Sequence, residues 1–364
     1  MNDRHAERRD RLRRLVAKLG PEAILVTDFT NVTYLTGFTG DDSFLLVRRD
    51  GEILISDGRY ATQLEEQCPG LELCIRRPGV SMVRAVGRVL RQSQLSRLAI
   101  EADSMTVGLR DRIAAQCPKL EMVPTTGLVE RLRQVKDREE IAQIRQAIWF
   151  AEKAFTVIRA SLRAESTEKE IADALENEMR AFGAKGAAFP SIVAVGDRAA
   201  LPHATPGNRP IGSADLLLCD WGADGGLYRS DLTRVLVTGR ISPKLQRIYG
   251  VVLTAQRKAI AAIRPGVALS KVDNIARQSI ASAGLGRYFR HGLGHGLGLQ
   301  VHEAPRLAAD AQGVLRPGMV VTVEPGVYLP GWGGIRIEDD VLVTRSGHEV
   351  LTTAPKQWDE IVVC

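Results

Sequence analysis

A chain of 364 residues is long for one domain, and 45% apolar with 25% charged residues supplies enough apolar surface for packed cores. The net charge of +6 admits an acidic partner, yet aromatics make up only 5%, so no base-stacking surface and no nucleic-acid partner is expected. No run approaches the ~20 apolar residues of a membrane span, and no apolar signal segment follows the polar, Arg-rich start. The expectation is a soluble cytoplasmic protein with no membrane partner.

The first eighteen residues hold Arg4, Arg8, Arg9, Arg11, Arg13, Arg14 and Lys18 around Leu12, Leu15 and Val16, which reads as an amphipathic surface helix. Ala23–Val26, Ser43–Val47, Glu52–Ser56 and Arg97–Ile100 read as short strands, with a helical pattern over Val80–Arg91. This alternation predicts a small α/β domain over 1–130. A long helix is expected over Glu139–Leu162, and a second from Thr167, where Thr167 and Glu170 have capping-box spacing. Beyond it, strands Leu216–Asp220, Arg229–Val237, Val320–Glu324 and Ile335–Val343 flank helices near Lys244–Ile263 and Leu269–Ala283. This pattern predicts an α+β domain of two similar halves over 131–364. Five scattered cysteines with no CxxC pair argue against a disulfide scaffold or a zinc knuckle.

Within the second domain, Asp224-Gly225-Gly226 is turn chemistry between two strands. A loop centred on Gly225-Gly226 puts Asp220 directly opposite Asp231, with Cβ atoms about 5 Å apart. Two carboxylates that close repel unless a proton or cation lies between them. The pattern recurs in Val320-Val-Thr-Val-Glu324 and Ile335-Arg-Ile-Glu338, where a hairpin centred near Gly331 sets Glu324 opposite Glu338. Between the pairs, His291-Gly-Leu-Gly-His295 and His302 follow one another on a glycine-rich segment, whose backbone is free to approach a ligand. Four carboxylates and one imidazole form a mainly oxygen site that suits Mn²⁺, Co²⁺, Fe²⁺ or Zn²⁺. Four negative charges exceed the need of one ion, whereas two ions roughly 3.5–4 Å apart balance them and generate a nucleophilic water. The chemistry expected is metal-assisted hydrolysis.

The chain resembles the Xaa-Pro peptidases, aminopeptidase P and prolidase, of the pita-bread fold. The segments that carry the resemblance are Asn31-Val-Thr-Tyr-Leu-Thr-Gly-Phe-Thr-Gly40, Asp57-Gly-Arg-Tyr60, Thr322-Val-Glu-Pro-Gly326 and Arg336-Ile-Glu-Asp339. The resemblance implies a creatinase-type, non-catalytic N-terminal α/β domain followed by an α+β pita-bread (creatinase/aminopeptidase-like) catalytic domain. It implies Asp220, Asp231, His295, Glu324 and Glu338 as ligands of two divalent ions, manganese foremost, with Asp231 and Glu338 bridging. It further makes Glu324 the proton acceptor and His203 and His302 the outer histidines that position substrate and stabilise the tetrahedral intermediate. His291 takes a pocket position and Arg336 partners the carboxylates, while His5 and His348 read as surface residues. The substrate implied is a peptide with proline at position two, cut by a homodimer. Phe38-Thr-Gly40 and Asp57–Tyr60 favour an aminopeptidase; the alternatives are an Xaa-Pro dipeptidase and, remotely, a non-enzymatic binding module.

Overall fold

The computed structural model describes residues 4–363, which fall into two compact units divided after Arg133. Unit one is an α/β layer. Its helices are α1 (Arg4–Leu19), α2 (Phe29–Thr36), α3 (Ala61–Gln67), α4 (Met82–Gln92), α5 (Val107–Gln116) and α6 (Glu130–Arg133). Its strands are β1 (Ala23–Val26), β2 (Ser43–Arg48), β3 (Glu52–Asp57), β4 (Glu72–Arg76), β5 (Arg97–Glu101) and β6 (Glu121–Thr125), ordered β4-β3-β2-β1-β5-β6 in one sheet. Only the β1–β2 and β2–β3 pairs are antiparallel.

The N-terminal helix departs from a purely solvated cationic face. Arg8 and Arg9 are buried, because Tyr34 and Leu35 at the end of α2 leave carbonyls without helical partners. Arg8 Nη1 donates to the Tyr34 carbonyl at 3.0 Å and Arg9 Nη1 to that of Leu35 at 2.9 Å, while Arg9 Nε donates to Glu52. The two histidines expected at the surface are half-buried instead. His5 Nδ1 lies 3.1 Å from the Tyr34 carbonyl, and His348 Nδ1 3.0 Å from that of Ile263. Cys68, Cys74, Cys117 and Cys219 are free thiols; Cys364 lies outside the described residues.

Unit two repeats a helix-pair-then-hairpin plan. The first half has α7 (Arg138–Ser161), α8 (Glu168–Ala181), β7 (Gly186–Ala187), β8 (Ile192–Val195), β9 (Leu216–Trp221), β10 (Ala223–Asp224) and β11 (Leu232–Val237). The second half has α9 (Pro243–Ala262), α10 (Leu269–Ser282), β12 (Gly294–Gly296), β13 (Glu303–Leu307), β14 (Val320–Val323), β15 (Gly326–Leu329), β16 (Gly333–Arg336), β17 (Asp339–Val343) and β18 (His348–Val350). Thr167 caps α8 with the full capping box, and Asp137 caps α7 in the same way through Glu140. The main sheets run β11-β9-β8 and β13-β12-β14-β17-β18, and one apolar core joins them to the four helices through Phe155, Leu175, Val252, Val272, Trp221, Val235 and Val321. Among the described residues, no helix is long and apolar enough to cross a membrane.

Candidate metal centre

Asp220 and Asp231 reach the same face by a register one turn-residue away from the simplest one. Strands β9 and β11 pair Asp220 with Thr233 and Trp221 with Leu232, so the turn centres on Gly226-Leu227. Asp224 causes the shift: its Oδ1 accepts the Gly226 amide at 2.8 Å, and Gly226 takes φ +112°, a conformation open to glycine. The displacement moves the partner by two residues, and the side-chain period of a strand is two, so Asp231 still shares a face with Asp220. Cys219, the intervening neighbour, points to the other face. Burial pushes its thiol up to about 12, which leaves it protonated and unsuited to metal.

The expected pairing of Glu324 with Glu338 has the register of the flanking ladders. Val323 pairs with Asp339 on one side and Gly326 with Arg336 on the other. Between these rungs the ladder is interrupted, because Pro325 offers no amide hydrogen. The predicted strand 335–343 therefore breaks at Ile337-Glu338, and the freed amides turn to other elements. Glu324 N donates to the Leu293 carbonyl at 2.8 Å, and Glu338 N to that of Thr233 at 3.2 Å.

The glycines around His295 serve neighbouring strands rather than a ligand. A Cβ at Gly294 would lie 2.1 Å from the Thr322 carbonyl oxygen, and one at Gly296 2.3 Å from that of Ala304. Close approach to β14 and β13 holds the short strand that presents the imidazole. Its Nδ1 lies 3.1 Å from the Gly296 carbonyl, which holds a proton on Nδ1 and turns Nε2 inward to the carboxylates. Nε2 is 3.4 Å from Glu324 Oε1 and 3.7 Å from Asp231 Oδ2.

Among the described residues, three overlapping sets have donor atoms within 4.8 Å of one another: Asp220, Asp231 and Glu338; His295, Glu324 and Glu338; and Asp231, His295 and His302. The five expected residues thus converge, with Asp231, His295 and Glu338 each shared by two sets. Their electrostatics are those of crowded anions. Burial, then the charges of Glu338 and Asp220, push the Asp231 carboxyl well above the usual range. Burial, then Glu324 and Asp220, do the same to Glu338. Burial also raises Asp220, against the opposing pull of Arg336. At Glu324 burial is outweighed by the hydrogen bond and charge of His295, which hold the carboxyl below its ordinary value. The same bond raises His295 against its own burial.

Around this cluster lies a cavity of about 1010 Å³, lined by His203, His291, His302, Phe189, Val301 and Arg306 among others. His203 and His302 are exposed at it; Arg336 is buried and donates from Nη2 to Asp220 Oδ2 at 2.5 Å. His291 lies back from the donors. Its Nδ1 is 2.8 Å from the Gly292 carbonyl, so Nε2 accepts the Tyr328 hydroxyl at 3.0 Å. Burial lowers the His291 pKa, in keeping with this neutral form. Its segment is held from α10, where Asp273 Oδ1 accepts the Leu293 amide at 3.0 Å and Arg277 donates to the His291 carbonyl at 2.8 Å.

Sequence reasoning missed Thr233, Thr322, Tyr328 and Asp340. Thr233 Oγ1 donates to Glu338 Oε2, Thr322 Oγ1 accepts the His295 amide, and Tyr328 links His291 to Arg336. Buried Asp340 accepts the Asp231 amide at 3.2 Å. Only the spacing offered a signal: Thr233 and Thr322 each lie two residues from a ligand candidate, hence on its face.

A mixed-α/β chain with buried carboxylates and an imidazole around one cavity belongs to the class of metal-dependent hydrolases. Comparison with known proteins is more specific. Residues 8–135 match the creatinase/prolidase N-terminal domain and residues 142–345 match metallopeptidase family M24, so the chain belongs to that family and is a metallopeptidase. It is 39% identical to the uncharacterized peptidase YqhT of Bacillus subtilis, over 96% of this chain and 98% of the other. Its fold is similar to that of an Xaa-Pro dipeptidase from Bacillus anthracis, with TM-score 0.95, 37% identity and coverage of 98% and 99%. An X-Pro aminopeptidase from Thermotoga maritima superposes with TM-score 0.88, 36% identity and coverage of 96% and 99%. The fold is therefore the creatinase-type α/β domain followed by the pita-bread catalytic domain.

Proposed function

We propose that this chain is a metal-dependent Xaa-Pro dipeptidase whose two ions are held by Asp220, Asp231, His295, Glu324 and Glu338. The donor set fits such ions. Among the described residues Asp220 Oδ1 is buried without a hydrogen-bond partner, and burial, then one another's charge, push the carboxylates around it upward, a strain that cations relieve. Two divalent ions, manganese foremost with cobalt, zinc and iron compatible, supply an acidified water and a polarised carbonyl when bound.

The chain's own residues do the rest. Glu324, kept ionised, accepts the proton of the attacking water. His203 and His302 flank the scissile carbonyl and meet the negative charge that grows on its oxygen. Arg336, fixed between Asp220, Thr233 and Tyr328, keeps the carboxylates in place. The Xaa-Pro bond has no N–H to recognise, so selection rests on the apolar wall around Phe189, Ile192 and Val301.

The dipeptide reading is carried by Arg306. Strand β13 sets it opposite His295, the residue lines the cavity, and among the described residues its one ion pair is a 3.5 Å contact to Asp310. A cation in that position suits the free carboxylate of a C-terminal proline. The likeness to the Bacillus anthracis dipeptidase supports the same choice over the aminopeptidase that the N-terminal motifs favour; the Thermotoga maritima enzyme keeps the second reading in play. A cytoplasmic homodimer completes the proposal. The test is cleavage by metal-loaded protein of Ala-Pro, Ala-Pro-Ala and Ala-Ala. Fast cleavage of Ala-Pro alone is expected. Preference for the tripeptide selects the aminopeptidase, and equal rates for Ala-Pro and Ala-Ala overturn both.

A further inference from the structure

His203 sits on the loop between β8 and β9. It is exposed at the cavity, and among the described residues no hydrogen bond holds its imidazole, so the backbone of the loop determines where the ring lies.

That backbone is gripped by one carboxylate. Glu168, the first residue of α8, is fully buried, and its side chain is committed to this loop. Oε1 accepts the Val195 amide at 2.8 Å, just before the loop, and Oε2 accepts the Gly207 amide at 2.9 Å, just beyond the histidine. Arg198, within the loop, places Nε between the two oxygens at 2.9 and 3.0 Å, and its Nη2 donates to the Thr205 carbonyl at 2.5 Å. The loop's other side rests on β16, the strand that ends in Arg336. A Cβ at Gly333 would lie 2.8 Å from the Gly196 carbonyl oxygen, and one at Gly334 1.9 Å from that of Ala199. The loop is clamped between a buried anion and a strand of the metal centre.

We infer that Glu168 is a positioning residue, which holds His203 at the scissile carbonyl by pinning both flanks of its loop. The inference rests on the hydrolytic reading of the site given above. A charged acceptor binds backbone amides more strongly than a neutral one, and a catalytic group displaced by about 1 Å can lose roughly a hundredfold in rate.

The test is a double-mutant cycle on full-length, metal-loaded protein, with Glu168→Gln, His203→Ala and the double variant assayed on Ala-Pro. Glu168→Gln should lower kcat/KM by roughly ten- to a hundredfold at unchanged metal content. The double variant should match His203→Ala within about twofold, because a residue that acts through His203 has nothing left to lose. Where Glu168→Gln does not fold, half-exposed Arg198→Gln replaces it, with a smaller loss that again disappears in the His203→Ala background. Additive losses, an unaffected Glu168→Gln, or a loss that tracks falling metal content overturn the positioning role. A fully active His203→Ala overturns the role of His203 itself and the inference with it, so the two failures are told apart.

Discussion

The hydroxyl of Thr233 donates to Glu338 Oε2 at 2.6 Å while accepting from Arg336 Nε at 3.0 Å, so one buried oxygen joins a proposed shared metal ligand to the arginine behind it. Thr233 also stands opposite Asp220 in the β9–β11 ladder. Replacing it by valine keeps the shape and the strand preference but takes the hydroxyl from Glu338 Oε2 and from Arg336 Nε, leaving Arg336 its bonds to Asp220 and Tyr328. Thr233→Val should weaken metal binding about ten- to a hundredfold, read by titration of chelated protein, while Thr233→Ser stays close to the parent. Equal affinities for parent and Thr233→Val contradict this role.

The crowding of anions predicts opposite effects on stability and on metal affinity. Burial and the charge of Glu338 act against an ionised Asp231. Asp231→Asn removes one of the mutually repelling charges at constant volume. Chelated Asp231→Asn should therefore melt no lower than the chelated parent, with a gain of roughly 1–2 kcal/mol within reach. Added Mn²⁺ should raise the melting temperature of the parent and leave the variant unmoved. A variant that melts lower than the chelated parent shows that the carboxylates are not in conflict.

Which parts of this were legible in the sequence follows from range. Asp220 and Asp231 were readable because parity survives a shifted turn, and Glu324 and Glu338 because a hairpin about Gly331 leaves little choice of register. The break at Pro325 was written in the proline but masked by the apolar run beyond it. Glu168 gave no signal, since Val195 and Gly207 offer it backbone amides, which any residue carries, and Arg198 lies 30 residues away. Arg8 and Arg9 looked like solvent-facing charge because the carbonyls they serve lie 26 residues away.

Unit one contains a pH-sensitive acid, Glu101. Glu101 accepts the amides of Thr27 and Asp28 on Oε2 and Asn31 Nδ2 on Oε1, with Glu130 on the same amide and Arg133 on the Asn31 carbonyl oxygen. Burial, only partly offset by these bonds, pushes its pKa up to about 7. A folded-state pKa above the unfolded one gives stability that is fully present below about pH 4.5 and is lost as pH rises through about 7. The loss comes to about 3 kcal/mol. Urea midpoints of the parent and Glu101→Gln at pH 5 and pH 8 check this: the parent should lose more between the two values than the variant does. Equal losses place the titration elsewhere.

Arg306 separates the two substrate readings by kinetics. Opposed residues on paired antiparallel strands lie about 5 Å apart at Cβ and lean the same way, so Arg306 flanks His295 at the proposed metal centre. Its weak contact with Asp310, at 3.5 Å and largely exposed, leaves the guanidinium free to fork onto a carboxylate. A hydrogen bond to a charged group contributes about 1.5–3 kcal/mol, which corresponds to roughly ten- to a hundredfold in binding. Arg306→Met should therefore raise KM for Ala-Pro by that factor with little change in kcat. Arg306→Lys should recover only part of it, because an ammonium cannot make the paired contact. Ala-Pro-amide, which lacks the carboxylate, should be cleaved poorly by the parent and no worse by Arg306→Met. If the methionine variant handles dipeptide and amide with the same KM shift, Arg306 does not read the carboxylate. The dipeptidase reading then loses its structural support, while the metal centre and its hydrolytic chemistry stand unaffected.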